Sequence, residues 1–276
     1  MGLRLRRSGA FALKPVSSPA QARRLVSLTG YLRAWKLRTP SVAFDAERRV
    51  LVFPWIEGLT GWERLARDGR LDPAAGPFVR MIAVLATLHR IPPPGGVGLD
   101  RLDPWRRITP RLQRGSFPQT LRRNVWETAA ALAAALDDLP LEPVLVHGDY
   151  HVGQLLFDAE GDIPWLLDLE DVGLGPAEFD LGNFVAHLAT SLPDWRDSPL
   201  RGFRRLCRHV VPCYAKLAGR VPSSRGIALY GAAALLRRGL KLWENGSATS
   251  RQVGRIVNAA RELGEGHWSV PLIPFG

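Results

Sequence analysis

The chain has 276 residues, 46% hydrophobic and 23% charged, enough to bury one large core or two modest ones. Its longest soft stretch, TAAALAAALDDLPL, is interrupted by Asp137 and Asp138, so no segment reads as the roughly 18 apolar residues of a membrane helix. The net charge of +11 favours anionic partners such as a nucleotide or phosphate, but it rides on arginines scattered along the chain, which argues against the clustered footprint of a nucleic-acid binder.

The basic start MGLRLRRSGAF leads into no apolar signal core and no small-residue cleavage site, so a cytoplasmic protein is expected. Residues 9–16, GAFALKPV, read as a strand stopped by Pro15. A helix follows, with Ser18 as N-cap, Pro19 at its first position and Gln21 three residues after the cap. It runs to about Lys36, with Leu25, Leu28, Leu32 and Trp35 as its apolar face. SVAF and RVLVFPW, separated by DAER, read as a hairpin. A linker spans residues 53–58.

Asp72 and Pro73 then open a long helix whose buried stripe is Phe78, Ile82, Leu85 and Leu88 or His89. PPPGGVG is a loop, and FPQTLRRNVWETAAALAAALDDL a second helix. VLVHGDYHVGQLLF follows as strand, polar loop and strand. DAEGD turns the chain back into the strand IPWLLDLED. From about Glu178 onward the chain reads as helical, with breaks near Pro193, Pro222 and Gly246. Cys207 and Cys213 share one of these helices. With His209 they form no second ligand cluster, so neither a disulfide framework nor a metal site is expected from them.

The polar residues carry the chemistry. Asp149 ends one strand, Gln154 starts the next, and Asp168 ends the third. A hairpin around DAEGD brings Gln154 and Asp168 together. Two carboxylates and an amide oxygen would then converge on one point, hard ligands of the kind that suit Mg²⁺ completed by substrate phosphates. Asp149 would then accept a proton from, or orient, an attacking hydroxyl, as phosphoryl transfer requires. The competing reading is that these are turn residues at strand ends.

HGDYHVGQLLF and WLLDLEDVGLGPAEFDLGNF resemble the aminoglycoside phosphotransferase and choline kinase group, kin of the protein kinases. The resemblance implies an α+β, two-lobed protein-kinase-like fold. Residues 1–56 would form a reduced, strand-rich nucleotide-binding lobe, and residues 57–276 a mostly helical lobe with the catalytic loop and acceptor site. It implies Asp149 as catalytic base, Gln154 and Asp168 as metal ligands, and His147 and Asp180 as supports of the loop. FALK looks like the strand that brings a phosphate-contacting lysine, here Lys14. VFPWIEG looks like the adenine hinge, with Phe53 and Trp55 at the nucleotide. His151 and Glu170 are candidates at the substrate, and either Glu170 or Asp171 would assist at the acceptor or at a second metal. ATP and Mg²⁺ are the implied cofactors, and a small-molecule hydroxyl compound the implied acceptor.

Three departures stand out. Gln154 replaces the usual Asn, one methylene longer. The form HGDxHxGQ is also similar to maltokinase-like phosphotransferases, a pointer to a sugar or another polyol. The helix after Lys14 has no Glu to pair with it, so that partner is absent or supplied from elsewhere. Only thirteen residues precede Lys14, too few for a full phosphate-covering hairpin, so the nucleotide is held without a lid or the chain as given begins late. The expected function is an ATP-dependent kinase of a sugar, aminoglycoside or amino-alcohol hydroxyl. The alternative is a catalytically weak or inactive kinase-like binding or regulatory protein.

Overall fold

The computed structural model describes residues 6–8, 10–67, 76–140, 142–159, 163–191 and 198–266. The first strands, β1 (Arg6–Ser8) and β2 (Phe11–Pro15), form a hairpin. They join β3 (Ala43–Asp45) and β4 (Val50–Pro54) in an antiparallel sheet of order β1-β2-β4-β3. Lys14 lies opposite Leu51, and Ala12 opposite Phe53. Between β2 and β3 runs α1 (Pro19–Ala34), whose Ser18 side chain accepts from the Gln21 amide at 3.3 Å. Leu25, Leu28 and Leu32 are buried under it. Trp35 is not part of that face. The helix ends at Ala34, Lys36 turns left-handed at φ 61°, and Trp35 lies 48% exposed against Tyr31.

A second sheet is built from β5 (Leu59–Thr60), β7 (Leu155–Phe157) and β8 (Trp165–Leu166), in that order. A two-stranded ladder pairs β6 (Pro143–Val146) with β9 (Gly173–Pro176). The helices are α2 (Gly61–Arg67), α3 (Gly76–Arg90), α4 (Trp105–Arg114), α5 (Gln119–Asp137), α6 (Ala177–Ser191), α7 (Pro199–Ala218), α8 (Ser224–Glu244) and α9 (Ser250–Gly264). The start expected for α3 at Asp72–Pro73 and the break near Pro193 lie outside the described residues. The expected stripe of Phe78, Ile82, Leu85, Leu88 and His89 is buried. Cys207 and Cys213 are both free thiols on α7. Among the described residues no helix is long and apolar enough to cross a membrane.

Strands β1, β5 and β9 and helices α2 and α4 went unread in the sequence. Helix α2 has a capping box in TGWE: Glu63 accepts from the Thr60 amide at 2.7 Å, and Thr60 Oγ1 accepts from the Glu63 amide at 3.3 Å. Helix α4 is rich in arginine and contains Pro110, but Ile108 and Leu112 bury one face four residues apart. Strand β9 is GLGP, poor in β-formers, and exists because β6 supplies its ladder. The arginines are not evenly scattered. Arg201, Arg204, Arg205 and Arg208 recur at helical spacing on α7 and line one surface cleft with His209.

Helices α6 and α8 cross at small residues. A Cβ on Gly182 would lie 2.4 Å from the Gly231 amide nitrogen, with further backbone atoms of Tyr230 and Gly231 around it. Gly182→Ala gains about 1 kcal/mol of helix propensity, but backbone cannot yield as a side chain can, and overpacking costs about 1–3 kcal/mol or more. The expected outcome is a lower denaturation midpoint in urea. An unchanged or raised midpoint would show that the two helices do not touch this closely. The crossing matters because α6 carries Asp180 and Asn183 and α8 carries Arg237, all of which reach the polar loop.

Candidate active site

The loop after β6 is fixed from below. Asp180 is fully buried and accepts from the amides of His147 at 2.6 Å and Gly148 at 3.0 Å. The Nε2 of His89 sits 3.2 Å from the same carboxylate, and its Nδ1 lies 2.8 Å from the Tyr214 hydroxyl. Gly148 turns left-handed at φ 81°, and a Cβ there would lie 2.5 Å from the Asp171 carbonyl oxygen, so the turn admits glycine. His147 is buried; its Nδ1 accepts from the Asp149 amide at 3.3 Å, which leaves Nε2 to donate to the Leu167 carbonyl at 2.8 Å. One imidazole thus ties the segment of Asp149 to the segment that ends in Asp168. Asn183 donates to the Tyr150 carbonyl at 2.9 Å.

The hairpin expected around DAEGD is present in β7 and β8, with Leu155 opposite Leu166. It is shorter than the sequence suggested. Strand β8 stops at Leu166, Asp168 adopts a left-handed backbone at φ 57°, and residues Leu169–Asp171 form a tight helical turn. The Leu167 amide donates to the Gln154 carbonyl at 2.8 Å, and Gln154 Nε2 lies 3.4 Å from Asp168 Oδ2. Gln154 and Asp168 therefore meet, as the spacing implied.

Lys14 reaches the same point. Its Nζ is 3.0 Å from Asp168 Oδ1 and 2.9 Å from Glu170 Oε1. Burial pulls the ammonium down, but the Asp168 and Glu170 carboxylates outweigh it and leave its pKa above the ordinary value. The carboxylate missing from α1 is thus supplied by Glu170, from the turn after Asp168. Instead α1 sends Arg24 to the Val172 carbonyl at 2.8 Å.

Lys14, Gln154, Asp168 and Glu170 line one cleft of about 600 Å³, together with Phe53 and Trp55. The Trp55 amide donates to the Ala10 carbonyl at 2.7 Å, and Pro54 has no amide hydrogen. Neither residue offers a backbone donor to the cleft in this conformation. Phe53 and Trp55 contribute apolar wall.

Asp149 is not among the residues that line that cleft. Arg237 Nη2 donates to its Oδ1 at 2.7 Å, and Arg107 Nη1 lies 3.2 Å from its Oδ2. Burial alone would raise Asp149, but Arg237 and Arg107 outweigh it and hold its carboxyl well below the usual carboxylate range. Arg107 also pairs with Asp171, and Arg237 donates to Asn183 Oδ1 at 2.8 Å. Arg107, Asn183 and Arg237 are site residues that the sequence reading missed. Asn183 stood in the quoted EFDLGNF segment, but the two arginines arrive from distant helices and carry no local signature.

His151 stacks on His187 of α6, with ring centroids 4.4 Å apart. Their ligand atoms and those of Asp149 lie within 4.8 Å of one another, a set distinct from Gln154 and Asp168. Burial drives His151 down from 6.5 to about 4, partly opposed by Asp149, and drives His187 well below 6.5. Both folded-state values lie under the unfolded one. The unfolded chain therefore binds more protons between about pH 4 and 6.5, and stability is complete above 6.5 and lost as pH falls toward 4. The His151 shift alone corresponds to about 3 kcal/mol. The thermal midpoint should fall across that window, and His151→Asn, which keeps an acceptor for the Gly153 amide, should flatten the slope. Equal slopes in the two proteins would refute the assignment.

A short sheet with a lysine strand and an adjoining helical lobe that carries Asp149, Gln154 and Asp168 define the two-lobed kinase-like fold. Residues 5–238 match the phosphotransferase enzyme family, APH, and the chain belongs to it. No curated protein sequence matches the chain. Several solved structures share its fold. Choline kinase LicA from Streptococcus pneumoniae is 18% identical with a TM-score of 0.62, over 95% of this chain and 89% of that one. A choline/ethanolamine kinase family protein from Mesorhizobium loti is 19% identical with a TM-score of 0.60, over 94% and 89%. A spectinomycin phosphotransferase, solved with ADP and spectinomycin, is 14% identical with a TM-score of 0.55, over 95% and 88%.

Proposed function

We propose that the chain transfers the γ-phosphoryl group of ATP to a hydroxyl of a small polar molecule. The observation that carries this reading is the meeting of Lys14, Gln154 and Asp168 in one cleft walled by Phe53 and Trp55. Asp149 stands on the loop that leads to Gln154 and is held by Arg107 and Arg237, which line a second pocket. Family membership and structural neighbours solved with ADP or AMP support a nucleotide in that cleft. The acceptor oxygen would bond the γ-phosphorus while the bond from that phosphorus to the β–γ bridging oxygen breaks. The hydroxyl proton passes to Asp149 and the nucleoside diphosphate leaves. Lys14 is the phosphate contact, and His147 and Asp180 hold the loop in register.

The donor set fits Mg²⁺. Gln154 and Asp168 offer hard oxygens side by side, and rotation of the Gln154 amide brings Oε1 to the place of Nε2. When bound, the ion supplies charge neutralisation to the phosphates. Gln154 and Asp168 would hold the ion, and Glu170 would keep Lys14 in place. His151, next to Asp149, is a candidate at the acceptor hydroxyl. We assign the protein to the cytoplasm, where ATP and Mg²⁺ are available.

One observation favours the alternative of a weak or silent relative: a carboxylate gripped by two guanidiniums is a poor base. An ATP-consumption assay with Mg²⁺ across sugars, aminoglycosides and amino- and carboxy-alcohols decides between the two. Acceptor-dependent ADP release supports the kinase. Nucleotide binding without turnover in any arm supports the silent relative.

A further inference from the structure

We propose that the phosphate acceptor is an anion: a hydroxyl compound whose carboxylate or phosphate group is bound by Arg107 and Arg237 beside Asp149. The inference rests on the phosphotransferase reading and names the substrate class of that site.

The pocket on the Asp149 side lies between α4 and α8. Its apolar wall comes from Leu102, Ile108, Phe179 and Tyr230, and its polar side chains include Arg106, Arg107, Asn183 and Arg237. Each carboxylate there is engaged through at least one oxygen. Asp149 holds both arginines, Asp171 pairs with Arg107, and Asp103 accepts from the Trp105 amide at 2.8 Å. Both oxygens of Asp149 are taken by guanidiniums, so an ammonium group at that carboxylate would have to compete with Arg107 and Arg237. A cationic amino-alcohol or aminoglycoside would instead meet two guanidiniums.

Cations outnumber carboxylates around this point. Arg238 and Lys241 follow Arg237 on α8, and Arg111 follows Arg107 on α4, where Glu244 lies 3.1 Å from it. Arg238 Nε is buried with no hydrogen-bond partner. Burial lowers the Lys241 ammonium, and Arg238, Arg237 and Arg111 add to that against the pull of Asp149. Burial and Arg237 lower Arg238 in the same way. The site therefore holds unbalanced positive charge, which an anionic ligand relieves.

Arg107 is suited to the exchange. It comes from a helix rather than the catalytic loop, its side chain is 34% exposed, and only about 40 Å³ of the pocket stays open while it rests there. An acceptor enters by taking over this guanidinium, and a planar fork binds carboxylate or phosphate through two parallel bonds. Asp149 then loses one of its two cations as the hydroxyl arrives, so the base regains proton affinity when there is a proton to take. The clamp that makes Asp149 a poor base without acceptor is released by the acceptor itself.

The test compares acceptors matched in shape and different in charge. ADP release with Mg²⁺-ATP is measured for short hydroxy-carboxylates, for monophosphorylated sugars and polyols, and for their uncharged and amino counterparts. The expected result is a kcat/KM for one anionic arm about 10- to 100-fold above its uncharged partner, the range of one or two charge-assisted hydrogen bonds. The arm that responds separates carboxylate from phosphate. Arg107→Gln and Arg237→Gln should each shrink the anionic-to-uncharged ratio by about tenfold or more, mainly through KM, and the wild-type ratio should fall with added salt. Turnover that favours an uncharged or amino acceptor overturns the anionic assignment and leaves the kinase reading standing. If no arm turns over, calorimetric titration of the same compounds decides. Arg107-dependent binding of an anion upholds the site, and no anion binding overturns it. Failure to bind ATP at all counts instead against the kinase reading.

Discussion

Asp149→Asn should lower turnover by about 10²- to 10⁴-fold, the range that a positioned general base contributes, while nucleotide affinity changes by no more than about threefold. The two halves of that expectation have separate causes. Asn keeps the shape of the side chain and the amide that donates to His147 Nδ1, so the loop retains its course. It cannot take a proton. Asp149 does not line the cleft of Lys14, Gln154 and Asp168, so the nucleotide should not register the change. Single-turnover assays give the first quantity and fluorescent-nucleotide titration the second. Full activity in the variant would mean that the base is another group.

The same substitution has a cost in stability. It removes the anion between Arg107 and Arg237, and losing one partner of a fully buried pair costs about 3–5 kcal/mol. Asp149 keeps 24% side-chain exposure, and Arg107 retains Asp171, so the cost should sit below that range. The arginines also set the pH behaviour. With the folded-state pKa held below the ordinary 3.8, the stabilising pair is complete above that value and is lost only as pH falls beneath it.

The sequence was most legible where chemistry is local. The strand–loop–strand spacing from Val144 to Phe157 and the Asp at the end of the third strand announced a meeting of Gln154 and Asp168, and the hairpin of β7 and β8 produces it. The N-cap at Ser18 and the stripe of α3 follow from helix periodicity in the same way. What was illegible depends on contacts across the chain. Lys14 finds its second carboxylate 156 positions away, in a turn made by the left-handed backbone of Asp168, and no pattern near Lys14 encodes that. Arg107 and Arg237 read as two more arginines in an arginine-rich chain until α4 and α8 set them on either side of Asp149. Helix α4 has no clear signal of its own, because Pro110 is a poor residue for a helix interior and its two buried residues are too few for a clear stripe.

The turn after β8 separates the roles of two carboxylates that touch the same lysine. Asp168→Asn should lower kcat/KM for the magnesium–nucleotide complex by about 10²- to 10³-fold, comparable with loss of one preorganised electrostatic contact at the transferring group, and should raise the Mg²⁺ concentration needed for half-maximal rate. The fold should tolerate it. Asn is among the few residues that enter the left-handed region readily, so the φ of 57° is kept. Glu170→Gln removes a charge at nearly the same distance from Lys14, 2.9 Å against 3.0 Å, yet its effect should be smaller. Asp168 still pairs the lysine, and a part-exposed ion pair is worth about 0.2–1 kcal/mol, a few-fold in rate with little change in Mg²⁺ requirement. Distance to Lys14 therefore does not rank the two residues; adjacency to Gln154 does. If Glu170→Gln cost as much as Asp168→Asn and moved the Mg²⁺ requirement with it, Glu170 would be a metal ligand rather than the partner of Lys14. The loss of the α1 carboxylate would then have no compensation in this turn.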